Sequence, residues 1–144
     1  MAYRILFLCT GNSCRSQMAE GWGRHLLGDI AEVTSAGTAA HGLNPRAVRA
    51  MQEAGVDISG HTSKTIEDLA GAPFDLVVTV CDHAHEICPF YPGARLQLHH
   101  SFDDPPVLAD GLAPDDAMVI YRRVCGEIRE YVAGLREVLK GLDA

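Results

Sequence analysis

Tyr3–Cys9 (YRILFLC) runs straight into Thr10-Gly11-Asn12-Ser13-Cys14-Arg15-Ser16. The first part is an almost unbroken apolar run, which reads as a strand buried on both faces, as in a parallel sheet. Apolar residues then recur at helical spacing over 16–27, where Met18, Ala19, Trp22, Leu26 and Leu27 share a face and Gly28 is a stop signal. Between strand and helix lies a cysteine, five residues, an arginine and a serine. Backbone N–H groups of such a loop, backed by a helix N-terminus, form a nest for a tetrahedral oxyanion. The nest comprises Thr10, Gly11, Asn12, Ser13 and Cys14. Gly11 and Asn12 supply the backbone freedom that lets it curl. Arg15 can grip two oxygens through its guanidinium fork. A thiol at Cys9, beside Arg15 and at a helix N-terminus, is expected to ionise readily. Ser16 is placed to donate a hydrogen bond to that sulfur. The nucleotide-binding pattern G-x-x-x-x-G-K-[ST] is absent. Cys14 reads as a small filler, although an oxidant could pair it with Cys9.

Outward from this loop, strands and helices alternate. A second strand is expected at 32–36. Asn44 and Pro45 form a cap and first turn for a helix running to Ala54, closed by Gly55. A short helix is expected after Ser63, strands at 74–80 and 95–99, a proline-rich loop at 101–114, and a long helix from Asp115. On that helix Tyr121, Val124, Cys125, Ile128, Tyr131, Leu135, Val138 and Leu142 read as core. This is the pattern of an α/β domain with a parallel sheet, here a single domain spanning 1–144. Ligands of open α/β sheets bind beyond the carboxyl ends of the strands. Cys9 and Cys81 both end strands, and neighbouring strands lie about 4.8 Å apart, which brings the two thiols to one sheet edge.

The composition sets limits. The chain has 144 residues, a formal net charge of −7, 47% hydrophobic and 22% charged residues, the balance of a globular domain with a real core. No apolar run approaches the ~20 residues that span a bilayer, so no membrane is expected. An acidic chain without a basic run is a poor partner for nucleic acid. Residues 1–8 carry no secretion signal, and five cysteines are present. An odd number of thiols in a reducing, cytoplasmic setting indicates catalysis, redox chemistry or metal binding in preference to a disulfide framework. No cofactor is expected. Attack on an oxyanion also needs a general acid for the departing oxygen, and Asp104, aimed by the following Pro105, offers one.

These residues resemble the low-molecular-weight protein tyrosine phosphatases, and more closely one branch of that fold, the thioredoxin-coupled arsenate reductases. CTGNSCRSQMAEGW (9–22), AHGLNPRAV (40–48), DIS (57–59), HTS (61–63), DLVVTVC (75–81), Cys88-Pro89 and FDDPP (102–106) occur as that family's blocks in order. The loop alone would be shared with phosphatases; the pair Cys81-x6-Cys88 separates the reductases. The resemblance implies a four-stranded parallel sheet of order 2-1-3-4 with helices on both faces, and a monomer. It also implies a three-thiol relay. Cys9 attacks arsenate, with phosphate or sulfate as competing anions, while Asp104 protonates the leaving oxygen. Cys81 attacks Cys9 and releases arsenite, Cys88 attacks Cys81, and thioredoxin reduces the Cys81–Cys88 disulfide after the polar segment 82–87 rearranges. Several relatives bind potassium behind the loop through an Asn, a Glu, a Ser and an Asp. Asn12, Glu20 and Ser35 match three of these positions, and Lys64 stands at the fourth. The expectation is that no metal is bound and that the Lys64 ammonium replaces it, pairing with Glu20 and tethering Asn12.

Two other readings use the same residues. One is a phosphatase of the same fold, although Pro106 and Val107 after Pro105 provide no ring to stack on an aryl phosphate. The other is a zinc site in Cys81-x-His83-x-His85-x2-Cys88, whose ligand types suit zinc but whose spacing differs from that of structural sites. His99 and His100 read as solvated polar residues at a sheet edge.

Overall fold

The computed structural model describes residues 2–87 and 90–143. Cys88 and the imidazoles of His83 and His85, on which the relay and the zinc reading depend, lie outside the described residues. The elements are β1 (Tyr3–Cys9), α1 (Arg15–Leu27), β2 (Ala31–Gly37), α2 (Pro45–Glu53), β3 (Phe74–Thr79), α3 (Asp82–Ile87), β4 (Ala94–His99), α4 (Pro105–Leu108) and α5 (Pro114–Leu142). The sheet has four strands in the order β2-β1-β3-β4, and every pairing is parallel.

The central strand explains the arrangement. Ile5, Leu6, Phe7 and Leu8 are all fully buried. Successive side chains point to opposite faces, so both faces of β1 are covered. On one face α1 comes close enough that a Cβ on Gly23 would lie 2.8 Å from Val33 and 3.4 Å from Phe7. Helix α5 packs along α1 and α2 with Met118, Tyr121, Val124, Cys125, Ile128, Val132, Leu135 and Leu139 turned inward. Asn44 caps α2 by accepting from the N–H groups of Arg46 and Ala47.

Three segments differ from the sequence reading. The stretch after Ser63 forms a parallel bridge between Gly37 and Thr65 and then a single 3-10 turn at Glu67–Leu69. The polar segment 82–87 is helical, although it has almost no apolar face to signal it. The proline-rich loop contains α4, because Pro105 is preset for the first helical position and the Asp104 carbonyl accepts from the N–H groups of Val107 and Leu108.

Cys125 is core, as expected, with its thiol 3.4 Å from the Met51 sulfur. Cys125→Ser would bury a hydroxyl beside a thioether. It is expected to cost about 1–3 kcal/mol, read as a drop of several degrees in Tm, with turnover unchanged.

Candidate active site

The loop between β1 and α1 is held open from outside. The Cys9 carbonyl accepts from the N–H of Thr38, that of Thr10 from the N–H of Ala39 and the hydroxyl of Thr38, and that of Gly11 from the N–H of His41 and the hydroxyl of Ser63. The Asn12 carbonyl accepts from Gln17 Nε2, and that of Ser13 from the N–H of Asn44. Five successive carbonyls are thus occupied by surrounding segments. A peptide that turns its oxygen outward turns its N–H inward, so these bonds shape the anion nest. The sequence reading singled out neither the strap 38–44 nor Gln17. The signal for the strap was the block AHGLNPRAV (40–48), and that for Gln17 the block CTGNSCRSQMAEGW (9–22); both carry resemblance and not geometry.

At the centre Asn12 is fully buried with φ 48°. Its amide N donates to the Ser16 and Ser35 hydroxyls, each at 2.9 Å. Its Oδ1 accepts from Gln17 Nε2 at 3.0 Å and from the backbone N–H of Lys64 at 2.9 Å. Ser16 therefore serves the loop, and the expected bond to the Cys9 sulfur is not formed among the described residues. Gly37 matters for the same reason. A Cβ there would lie 2.5 Å from the Ala39 carbonyl oxygen, 2.6 Å from that of Thr10 and 2.8 Å from the Asn12 nitrogen.

A cavity of about 320 Å3 opens over the loop, between Cys9–Gly11 and Ser13–Arg15 on one side and His41, Asp104 and Pro106 on the other. Arg15 is anchored by the Phe102 carbonyl at 3.0 Å and lies 3.4 Å from the Asp104 carboxylate. Its Nε is buried without a partner among the described residues, a charged donor left for an anion. The structure thus brings Arg15, Asp104 and the loop to one cavity. Cys14 also lines it, but burial pushes its thiol well up, which leaves it inert.

Cys81 enters from the end of β3. Its sulfur lies 3.3 Å from the Thr10 hydroxyl and 3.4 Å from the Ala84 N–H. A hydrogen bond from Cys9, together with these donors, lowers the Cys81 thiol to about 5. That same bond, with burial, raises Cys9 well above the usual thiol range, and the Arg15 charge only partly opposes it. These directions run against the expectation that the nest alone makes Cys9 the thiolate. Burial of Cys9 and the donors around Cys81 thus both favour charge on Cys81.

Behind the loop the Glu20 carboxylate, 2% exposed, meets Arg24 at 3.2 Å, His61 at 3.1 Å and Lys64 Nζ at 3.7 Å. It also accepts from the Ser35 hydroxyl at 2.8 Å. Burial lowers the His61 imidazole even against Glu20. Lys64 pairs with Glu20 as expected, but Asn12 is tethered by the Lys64 backbone and not by its ammonium. A potassium ion does not fit this donor set: Asn12 Oδ1 already accepts two bonds, and cations already surround Glu20. Among the described residues no group of three or more His, Cys, Asp and Glu is placed to hold a metal.

Ultraviolet titration of thiolate absorbance checks the pair. Wild-type protein is expected to show a thiolate forming at about pH 5 that is absent in Cys81→Ala. Cys9→Ala is expected to move the Cys81 thiol upward, since its strongest stabilising donor is gone.

Comparison with known proteins agrees with this geometry. Residues 4–142 match the low molecular weight phosphotyrosine protein phosphatase family. An arsenate reductase of Halalkalibacterium halodurans is 50% identical over 136 residues, covering 94% of this chain and 96% of its own length. The structure of an arsenate reductase in the phosphate binding state superposes with a TM-score of 0.78 at 30% identity, covering 99% of both chains. One in the oxidized state gives 0.79 at 33% identity, covering 95% of this chain and 98% of its own. In strand order, anion loop and nearly its whole length, the chain belongs to the low molecular weight phosphotyrosine protein phosphatase family.

Proposed function

We propose that this protein reduces arsenate to arsenite through Cys9, Cys81 and Cys88, with thioredoxin as the final reductant. The observation that carries the reading is the second thiol. Cys81 Sγ sits 3.3 Å from the Thr10 hydroxyl of the anion loop, a position that ester hydrolysis does not require. The arsenate reductase relatives and neighbours support the same reading.

Arsenate binds against the inward N–H groups of residues 10–14 and the Arg15 fork. Cys9 loses its proton as Cys81 gains one, and its sulfur displaces an arsenic-bound oxygen that Asp104 protonates. Cys81, deprotonated again, attacks the Cys9 sulfur. The electron pair of the S–As bond passes to arsenic, which leaves as arsenite, and two thiols become the Cys9–Cys81 disulfide. Cys88 then displaces Cys9, and thioredoxin reduces the Cys81–Cys88 bond. The reading places the protein as a monomer in the cytoplasm, where thiols stay reduced. Among the described residues no helix is long and apolar enough to cross a membrane. The same Cys9 thiolate would also cleave small phosphate esters slowly, as befits the family.

Arsenate-dependent NADPH oxidation with thioredoxin and its reductase tests the reading, with glutathione and glutaredoxin as the comparison. Cys9→Ser is expected to abolish both reduction and ester hydrolysis. Cys88→Ser is expected to stop after one turnover with Cys9 and Cys81 joined, as peptide mass spectrometry would show. Turnover by Cys9→Ser, or Cys9 found paired with Cys14, would overturn the relay.

We also propose that Lys64 stands where relatives place a potassium ion. Exchanging potassium for sodium at constant ionic strength is then expected to leave Tm and oxyanion affinity unchanged. Lys64→Ala is expected to lower both, and Lys64→Asp to make both depend on potassium. A potassium-specific rise in the wild-type Tm would overturn this.

A further inference from the structure

His99 bridges the sheet and the start of α3. Its Nδ1 lies 2.7 Å from the hydroxyl of Thr79, and its Nε2 lies 2.9 Å from the Asp82 carboxylate. Thr79 is fully buried on β3 and is the register partner of His99 on β4. The Thr79 carbonyl also accepts from the N–H of His100, so the sheet end of the bridge is fixed. Asp82 is the first residue of α3 and follows Cys81 directly. A carboxylate only accepts, so Nε2 carries a proton and donates to Asp82. The edge histidine that the sequence reading left to solvent therefore joins β3 and β4 to the helix that begins beside the second thiol.

That helix matters for one step. A helix rises 1.5 Å per residue, so a chain that stayed helical from Cys81 over the next seven residues would separate its ends by about 10 Å. A disulfide holds its Cα atoms within about 7 Å. The Cys81–Cys88 bond therefore requires segment 82–87 to leave its helical form. We infer that His99 is a positioning residue for this transfer, holding α3 closed through Asp82 until Cys81 has done its work on Cys9. The inference rests on the three-thiol reading. In the step itself the Cys88 thiolate attacks Cys81 Sγ, the new S–S bond forms, the Cys9–Cys81 bond breaks, and Cys9 departs as a thiolate with the electron pair. Exchange among three sulfurs consumes no outside oxidant or reductant.

The latch is a light one. The side chains of His99 and Asp82 are 27% and 74% exposed, and exposed pairs of this kind contribute little. Releasing it is expected to change rates by about two- to five-fold. The test is a single turnover: reduced protein receives one equivalent of arsenate without thioredoxin, is quenched with an alkylating agent, and is analysed as peptides. In His99→Ala, formation of the Cys9–Cys81 disulfide is expected to keep its rate, while its conversion to Cys81–Cys88 quickens two- to five-fold. Asp82→Ala is expected to do the same, and the double variant to gain no more than His99→Ala alone, since each breaks the His99–Asp82 contact. Amide hydrogen exchange of 83–87 in the reduced protein gives a second readout that needs no arsenate. It is expected to rise in His99→Ala while exchange in the anion loop stays constant. Unchanged conversion or exchange, or additive effects of the two substitutions, would overturn the latch. Wild-type protein inert to arsenate would instead overturn the functional reading, and the exchange rates would still decide the latch.

Discussion

Asn12 keeps a left-handed backbone, φ 48°, at a fully buried position, and the peptide groups around it turn their oxygens away from the anion cavity. Such a conformation costs a non-glycine residue about 1–3 kcal/mol. The side chain explains why it persists. An amide has two donors and two acceptor sites, and here all four are used, on Ser16, Ser35, Gln17 and Lys64. A single amide thereby joins the loop to α1, to β2 and to the segment after Thr62. Glycine would take the backbone angle freely but would strip the Ser16 hydroxyl and the Lys64 N–H of this partner inside the protein, and an orphaned buried polar group costs about 1–3 kcal/mol.

The same logic governs the charge behind the loop. A carboxylate at 2% exposure needs partners for its full charge, and Glu20 has Arg24, His61, Lys64 and Ser35. A covalently attached ammonium cannot dissociate, so under the proposed role of Lys64 the shape of the loop would not depend on the ion content of the solvent. On the cavity side, Arg15 is steadied by a backbone carbonyl as well as by Asp104. Its fork is therefore oriented before any anion arrives, and binding loses less side-chain freedom.

Much of this was legible in the chain. The apolar runs Ile5–Leu8 of β1 and Leu76–Val78 of β3 gave buried parallel strands, because nothing polar interrupts them. Cys9, Arg15 and Asp104 could be assigned to one cavity, because strand ends and a proline-fixed turn converge at one edge of such a sheet. What escaped was whatever depends on neighbours distant in sequence. Helix α3 has no amphipathic pattern, and part of what holds it is a histidine on β4. The strap 38–44 acts through backbone N–H groups, which side-chain identity does not reveal. His61 and Gln17 look like ordinary polar residues until the fold packs them against Glu20 and Asn12. Local rules for a thiol beside arginine favour charge on Cys9, yet donors from two different segments, Thr10 and Ala84, converge on Cys81.

The backbone N–H groups that occupy the loop's carbonyls come largely from the strap between β2 and α2, ahead of β3 in the chain. Grip on the oxyanion and supply of electrons are therefore written on separate stretches of the molecule. In the proposed relay the electrons come from the end of β3 and from the segment after it, while the cradle is complete without them. A protein built this way can trade one chemistry for another at a strand terminus while its anion cradle stays the same.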